Sequence, residues 1–277
     1  MKQDKYLSAK LAAAPYELWA LLFIAAPLLM VIYYAFTDKT GAFTLDNIAK
    51  LPVFADTIAL SVWLGLIATL ISLVLAFPIA YIISQKSASA QRTLVMLTML
   101  PMWMNFLIRT YSWMTILEKN GIINSFLTGV LGLAQPLHLI NTRGAVVLGM
   151  VYNFLPYMIL PLYSVMTKID RSLIEAAQDL GSGRADVLRK VIIPLSIPGI
   201  VSGITMVFVP SVSTFYISQK LGGTSAMLVG DIIEQQFQQA YNYNLGAALS
   251  LVLMVLIFIC LAVMRKFSDD EDGGVLI

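Results

Sequence analysis

The 277-residue sequence has few charged residues: lysine, arginine, aspartate and glutamate together make up 12% of it. Soluble domains usually carry about 25% charged residues. Hydrophobic residues account for 58% of the chain, and a soluble fold of this length could not bury so much apolar surface. The composition therefore predicts a protein whose solvent is the lipid bilayer. The formal net charge of +2 gives no reason to expect nucleic-acid binding.

Cysteine and histidine are also scarce, since each occurs once, as Cys260 and His138. A disulfide framework needs pairs of cysteines, and a metal site needs several ligands of this kind, so we expect neither. The sequence contains no G-x-x-x-x-G-K-[ST] phosphate loop. It also shows no pair of carboxylates and no Ser-His constellation suited to a catalytic pocket. We therefore predict that the chain is not an enzyme.

Six apolar segments are long enough to cross a bilayer, which takes about 20 residues per helix. They cover residues 18–36, 57–84, 93–117, 144–167, 191–219 and 245–264. Backbone groups find no water partner in lipid, so the segments are predicted to be helices, and the prolines within them to kink rather than break them. The first segment lacks a cleavage pattern and is interpreted as an uncleaved anchor. The predicted fold class is an all-α polytopic membrane protein with six transmembrane helices.

The lysines and arginines predict the orientation of these helices. Of the 18 in the chain, twelve flank one set of helix ends, and Arg109 lies inside the third segment. The other set of ends has five: Lys39, Lys50, Lys119, Arg143 and Lys220. Positive residues accumulate on the cytoplasmic side. Both termini, and the loop between the fourth and fifth segments, are therefore predicted to be cytoplasmic.

That loop contains a charged stretch, SLIEAAQDLGSGRADVLRKVIIP, at residues 172–194. Ser172 and Glu175 fit a capping box, which predicts that a helix of about ten residues begins there. Gly181 is placed to end the helix, because glycine accepts the left-handed conformation. Leu173, Ala176, Ala177 and Leu180 would share one helix face. From composition alone, this face could lie on the membrane surface or dock on another protein.

The loop resembles the EAA loop of ABC importer permeases, E-A-A-x3-G-x9-I-x-L-P. The matching residues are Glu175-Ala176-Ala177, then Gly181, then Val191-Ile192-Ile193-Pro194, and the two differences from the pattern are conservative. Residues 100–113 (LPMWMNFLIRTYSW), residues 151–164 (VYNFLPYMILPLYS) and the Gly pair between Lys220 and Thr224 resemble the spermidine/putrescine permeases. They are most similar to the first of the two permease subunits in such systems.

The resemblance implies a type I (MetI-like) permease fold in a bacterial cell membrane. The expected organisation is a cytoplasmic N-terminus, first helix and outer loop (1–56), a permease core (57–264) with its coupling loop at 168–194, and an acidic tail (265–277). The expected partners are an ATP-binding subunit dimer, a second homologous permease and an extracytoplasmic substrate-binding protein. ATP would be bound by the partner, with no cofactor in this chain. The residues expected to couple to the ATPase are Glu175, Ala176, Ala177, Gly181 and Pro194.

The implied substrate is a polyamine, spermidine or putrescine. Another small solute, such as thiamine, a phosphonate, an iron chelate or a different organic cation, is the alternative. A polyamine path should offer aromatic faces and carboxylates, because ammonium groups bind both. The candidates are Trp103, Tyr111, Tyr152, Asp231 and Glu234. Each aromatic residue could instead pack or lie at the membrane interface, and the two carboxylates could instead belong to a solvated helix.

Arg109 does not fit a path for cations, because its positive charge would repel the substrate. A charge inside the membrane is usually paired or faces water. We expect Arg109 to pair with a carboxylate of this chain or of a second permease, or else to reach the membrane surface with its side chain.

Overall fold

The computed structural model describes residues 15–272, which are helical apart from turns, loops and one isolated β-bridge between Thr37 and Phe43. Pro15–Ala35 is designated α1. The next helices are α2 (Asp46–Ala49), α3 (Ala55–Ser84), α4 (Ala88–Met99), α5 (Phe106–Leu117), α6 (Ile122–Gly129) and α7 (Arg143–Met166). They are followed by α8 (Arg171–Asp179), α9 (Arg184–Val187), α10 (Ile193–Leu195), α11 (Ile197–Ser213), α12 (Val229–Gln238) and α13 (Tyr243–Asp272). Lys2, Lys5 and Lys10, which contributed to the predicted orientation, and residues 273–277 of the predicted tail lie outside the described residues.

Four helical stretches are long and apolar enough to cross a membrane: Pro15–Ala35, Asp46–Ser84, Arg143–Met166 and Tyr243–Met264. Two bent pairs pass the same test, Ala88–Trp103 with Phe106–Gly129 and Arg184–Leu195 with Ile197–Ser213. The described residues thus provide four spans, or six if each bent pair is one span. The predicted all-helical membrane fold is confirmed.

The third predicted span is broken, so the expectation that its proline would only kink it was wrong. Pro101 lies in a 3₁₀ turn, Leu100–Trp103, and the two helices of the pair meet at 85°. Met104 is extended, and the side chain of Asn105 caps the new helix by accepting a hydrogen bond from the Leu107 N–H at 2.8 Å. The side-chain cap allows α5 to start in a new direction, because it satisfies a helix-end amide that has no partner within the helix.

The fifth predicted span, 191–219, is likewise not one helix. It bends by 66° between α10 and α11, at the buried Ser196. It ends at Ser213, and a separate π-helical turn, Ser218–Gly222, follows. Pro198 in the first turn of α11 has no N–H to continue the preceding ladder, which explains a bend at this point. Pro78, Pro156, Pro161 and Pro210, by contrast, lie inside continuous helices.

The described chain divides into two compact units. One contains the chain up to Ala55 together with Ile232–Val255. In it, Ala35 packs with Ala247 and Ala248, and the Asn244 Nδ2 donates to the Thr37 carbonyl at 2.7 Å. The end of α1 is therefore fixed to the start of α13 by small apolar side chains and by hydrogen bonds from a buried amide.

The larger unit contains Asp56–Asp231 and the chain from Leu256 onward. Its core is built on α7, where Val146, Met150, Met158 and Leu162 are fully buried. The helix packs closely against α11, whose Gly199 and Gly203 form a G-x-x-x-G pair. A Cβ at Gly203 would lie 2.5 Å from the Met158 Sδ, and one at Gly199 would lie 3.0 Å from the Pro161 carbonyl oxygen. Small residues at this spacing let membrane helices approach closely.

Candidate coupling and translocation sites

Helix α8 carries the predicted EAA loop, and its start is capped by Asp170 rather than by Ser172. An Asp170 carboxylate oxygen accepts a hydrogen bond from the Ser172 N–H at 3.0 Å. The predicted capping box was therefore wrong by two residues, because an aspartate one residue before the helix reaches its free amides first. The backbone hydrogen bond from Ser172 holds the pKa of Asp170 below its ordinary value.

The end of α8 is as predicted. Gly181 has φ +81°, and its N–H donates to the Gln178 carbonyl at 2.8 Å. The Ser182 N–H donates to the Ala177 carbonyl at 3.1 Å, which completes the pair of hydrogen bonds of a Schellman motif. A Cβ at Gly181 would meet nothing within 4 Å. Glycine is therefore favoured here by the left-handed backbone conformation and not by a lack of space.

One face of α8 lies toward α3 within the larger unit, and the other is exposed. Ile174 and Gln178 line a cavity of about 350 Å³ shared with Phe77, Pro78 and Tyr81 of α3. Arg171 adds a hydrogen bond from its Nη2 to the Gln85 carbonyl at 3.4 Å. On the exposed side are Leu173 and Leu180, which are 48% and 88% exposed, together with Glu175 and Ala176. Ala177 is half-buried between the two faces.

A continuous helical segment joins this loop to the fifth span. Helix α9 passes through a π-helical turn, Leu188–Ile192, into α10, which contains the exposed Pro194. Val187 and Ile192 are buried. The exposed Lys190 Nζ lies 3.1 Å from the Asp186 Oδ1, one helical turn away. The bend at Ser196 then separates α10 from α11, so displacement of the loop would reach the span through this point.

The aromatic candidates for the translocation path occupy different environments. Trp103 is 73% exposed at the end of its 3₁₀ turn. Tyr152 is half-buried and packs edge-on against Trp113, with 5.3 Å between ring centroids. Tyr111 is 43% exposed and belongs to a group of three rings. The structure does not bring Trp103, Tyr111 and Tyr152 together as one cluster.

The three rings around Tyr111 form what we call the aromatic cluster: Phe106, Tyr111 and Tyr216. The ring centroid of Tyr216 lies 5.9 Å from that of Phe106 and 6.2 Å from that of Tyr111. Lys220 places its Nζ 5.3 Å from the Tyr111 centroid and 5.7 Å from the Tyr216 centroid. Sequence reasoning missed Lys220, although its i,i+4 spacing from Tyr216 predicts contact on a helical turn.

Arg109 contacts a different ring of the same cluster, with Cζ 5.9 Å from the Phe106 centroid. It is 7% exposed, and its Nε and Nη1 have no hydrogen-bond partner among the described residues. Neither an ion pair within this part of the chain nor a side chain reaching the surface is observed, so these two expectations for Arg109 were wrong. The aromatic cluster thus contacts two cationic side chains, one buried and one partly exposed.

The two acidic candidates lie on α12 and are not equivalent. Asp231 is 5% exposed, and its carboxylate accepts hydrogen bonds from the Ser218 hydroxyl at 2.9 Å and the Leu228 N–H at 2.6 Å. These bonds fasten the start of α12 to the preceding π-helical turn, so Asp231 does not belong to a solvated helix. Glu234, three residues later, is half-buried. A role for either in the path stays a prediction.

The helical spans, and the capped helix that joins α7 to α11, define a class: a polytopic membrane permease. Residues 12–269 match the family "Binding-protein-dependent transport system inner membrane component". The chain belongs to this family. It is therefore a multi-pass inner-membrane component of a binding-protein-dependent transporter, and it is non-catalytic, with no cofactor expected in the chain.

Curated relatives include the "Spermidine/putrescine transport system permease protein PotB" of Salmonella typhimurium, 36% identical over 92% of this chain and 94% of that protein. The protein of the same name from Escherichia coli K12 is 36% identical over 90% of this chain and 94% of its own length. The "Inner membrane ABC transporter permease protein YdcU" of the same organism is 31% identical over 85% of this chain and 81% of that protein.

Solved structures show the same fold at low sequence identity. A chain of a bacterial ABC transporter involved in the import of the acidic polysaccharide alginate has a TM-score of 0.73 at 19% identity, covering 96% of each chain. A chain of the MetNI methionine ABC transporter in an inward-facing conformation has a TM-score of 0.58 at 16% identity, over 79% of this chain and 96% of that one. These similarities confirm the predicted ABC importer permease fold.

Proposed function

We propose that this chain is one permease subunit of an ATP-driven importer of spermidine and putrescine. The observation that carries the proposal is the 36% identity to PotB permeases across 90% or more of the chain. The importer would contain a second, homologous permease, a pair of ATP-binding subunits and an extracytoplasmic substrate-binding protein. Both termini of this chain would be cytoplasmic, as the distribution of lysine and arginine predicts.

The exposed face of α8 supports the coupling part of the proposal. Glu175, Ala176 and Leu180 are exposed on a helix that is capped at both ends, so a partner would meet a rigid surface. ATP binding would draw the ATPase pair together and displace α8. The continuous helical segment from Arg184 to Pro194 would carry the displacement to α11, which favours one of the two conformations of an alternating-access cycle.

The aromatic cluster supports the substrate part of the proposal. An ammonium ion over an aromatic face is stabilised by about 0.5–2 kcal/mol, and more where water is excluded. The cluster already contacts the cationic groups of Lys220 and Arg109, so these rings are suited to cations. Tyr111 is part of it and is exposed enough for a solute to reach. Trp103, also exposed, is a second candidate contact.

Arg109 favours a second candidate, a solute with an anionic group such as a phosphonate. Its two buried nitrogens lack acceptors within the described chain, and an anionic ligand would supply them. The relatives favour the polyamine instead, and an uptake experiment distinguishes the two.

The experiment measures uptake of radiolabelled spermidine, putrescine and a phosphonate by cells lacking this chain, with and without its return on a plasmid. We expect the returned chain to restore uptake of both polyamines and to leave phosphonate uptake unchanged. A variant with Glu175→Gln and Ala176→Asp should reach the membrane and fail to restore uptake. If phosphonate uptake is restored and polyamine uptake is not, the substrate is a phosphonate and not a polyamine. If uptake of none of the three solutes is restored, the proposed polyamine substrate is contradicted.

A further inference from the structure

The aromatic cluster holds a cation that belongs to the chain itself. The ammonium of Lys220 lies within 6 Å of the centroids of two rings, those of Tyr111 and Tyr216. Lysine and a polyamine end in the same chemical group, a primary ammonium on an alkyl stem. Rings that hold one of these ammonium groups have the size and electron density to hold the other.

We propose that Tyr111 and Tyr216 bind a terminal ammonium of the substrate and that Lys220 is a tethered competitor, which makes the site select for solutes with more than one amine. The proposal rests on the proposed function, because it takes the substrate to be a polyamine. It deepens that function by assigning a binding site for one substrate amine and a residue that sets specificity.

The local structure allows the Lys220 side chain to move away from the two rings without a rearrangement of the backbone. The neighbouring Ser218 and Leu221 are fully buried and hold the π-helical turn in place. Lys220 itself is partly exposed, and its stem has four rotatable bonds. The side chain can therefore rotate toward solvent while Tyr216, which precedes this turn, stays packed against Phe106.

A tethered competitor lowers the affinity of the site for every ligand. The size of this effect depends on the fraction of time that the competitor occupies the rings. A monoamine has no second ammonium group with which to bind, so its affinity is lowered by the full amount. A polyamine that binds elsewhere through a second ammonium presents its first at a high effective concentration, and so displaces Lys220 more readily. Lys220 would thereby discriminate against monoamines.

The test measures equilibrium binding of radiolabelled putrescine and n-butylamine to the purified importer complex in nanodiscs without the binding protein. Replacing Lys220 by Met removes the competing charge and keeps an apolar stem. We expect K220M to bind both amines more tightly, with about a threefold to tenfold gain for butylamine and a smaller gain for putrescine. K220R keeps the cation and should bind as the wild type does.

Two further variants test whether the gain depends on the rings. Y111L in the K220M background should abolish the gain, whereas Y111F, which keeps the ring, should preserve it. K119M removes a nearby exposed lysine outside the cluster and should change nothing. If K220M binds either amine no more tightly than the wild type, or if the gain survives Y111L, the proposal is wrong.

The same preparations separate this inference from the proposed function. Suppose that the wild-type importer restores polyamine uptake in cells, but K220M binds amines only as tightly as the wild type. This outcome would contradict only the role proposed for Lys220. A wild-type chain that restores no polyamine uptake removes the proposed substrate, and the assigned amine site falls with it.

Discussion

Gly181 ends α8 by turning the chain through a backbone conformation that favours glycine. Its φ of +81° lies in the left-handed region, and the space around its Cα is open. A side chain there would strain the backbone without colliding with any neighbour. The pattern could predict this, because the requirement is local: a helix ends, and one residue must turn the chain while the last carbonyls find partners.

Replacing Gly181 by Val should uncouple transport while the protein still reaches the membrane. A β-branched residue in the left-handed conformation is unfavourable by about 1–2 kcal/mol, so the end of α8 would shift. Polyamine uptake should fall severalfold, with membrane levels measured by immunoblot unchanged. Gly181→Asn, which tolerates this conformation, should retain more uptake than the Val variant.

The matched control is Gly183, two residues later, which also has open space but an ordinary φ of −71°. Gly183→Val should leave uptake close to wild type. Equal losses at the two positions would show that the loop tolerates no side chains at all, and that the left-handed conformation of Gly181 is not the cause.

Arg109 shows what the sequence could not reveal. Its position inside an apolar segment predicted a partner, yet which face of α5 it would occupy depended on the break at Met104 and Asn105. That break turns α5 by 85° from the helix before it. Arg109 contacts the ring of Phe106, which is one turn away on the same helix.

The start of α8 depends on Asp170. Its carboxylate must be ionised to accept the Ser172 N–H without competition from its own proton, and this hydrogen bond keeps the pKa of Asp170 below its ordinary value. A group with a lowered folded-state pKa stabilises at pH values above its unfolded value, 3.8, and loses that contribution as pH falls through the folded value.

We therefore predict that hydrogen exchange at the Ser172 amide is slow near neutral pH and accelerates, relative to its intrinsic rate, below pH 3.8. Asp170→Ala should accelerate it at neutral pH, whereas Ser172→Ala should not. Slower exchange in the Asp170→Ala variant, or a loss of protection only in the Ser172→Ala variant, would restore Ser172 as the cap.

At the scale of helices, composition predicted where apolar segments lie but not how they are divided. Six segments are recovered, yet the third and fifth are bent pairs. Proline gave an ambiguous signal: Pro156 and Pro161 lie in an unbroken helix, whereas Pro101 precedes a break. The difference is that Asn105, four residues after Pro101, supplies a new N-cap.

The contact between α7 and α11 was also absent from the sequence reasoning, although Gly199 and Gly203 carry its signal. A side chain at Gly199 would meet backbone atoms, the Pro161 carbonyl oxygen at 3.0 Å and the Leu162 Cα at 3.2 Å. Backbone atoms inside a helix cannot move aside as a side chain can. The two helices would have to separate.

Gly199→Val should therefore destabilise the protein by about 1–3 kcal/mol, as overpacking does. The measurement is thermal unfolding of the purified complex in detergent, together with its membrane level. Ser202→Val, at an exposed position of the same helix, is the control and should have little effect. A Gly199 variant as stable as the Ser202 variant would contradict the close packing of α7 and α11.

At the scale of the whole molecule, the proposed role is that of a subunit that neither hydrolyses ATP nor encloses a path alone. Family membership establishes an inner-membrane component of a binding-protein-dependent transporter. The exposed face of α8 and the proposed amine site at Tyr111 and Tyr216 would give this chain two tasks, receiving a displacement and discriminating among cations. Both depend on partners, so the test must be made in the assembled importer.

The most direct test uses the single cysteine. In a Cys260→Ser background, Ala176→Cys places one thiol on the exposed face of α8, and Lys119→Cys places one near the predicted outer end of α5. A thiol-attached photocrosslinker at residue 176 should link this chain to the ATP-binding subunit, and the link should change with ATP. A membrane-impermeant reagent added to intact cells should label residue 119 and not residue 176. Labelling of residue 176 from outside, or no link to an ATP-binding subunit, would contradict the account.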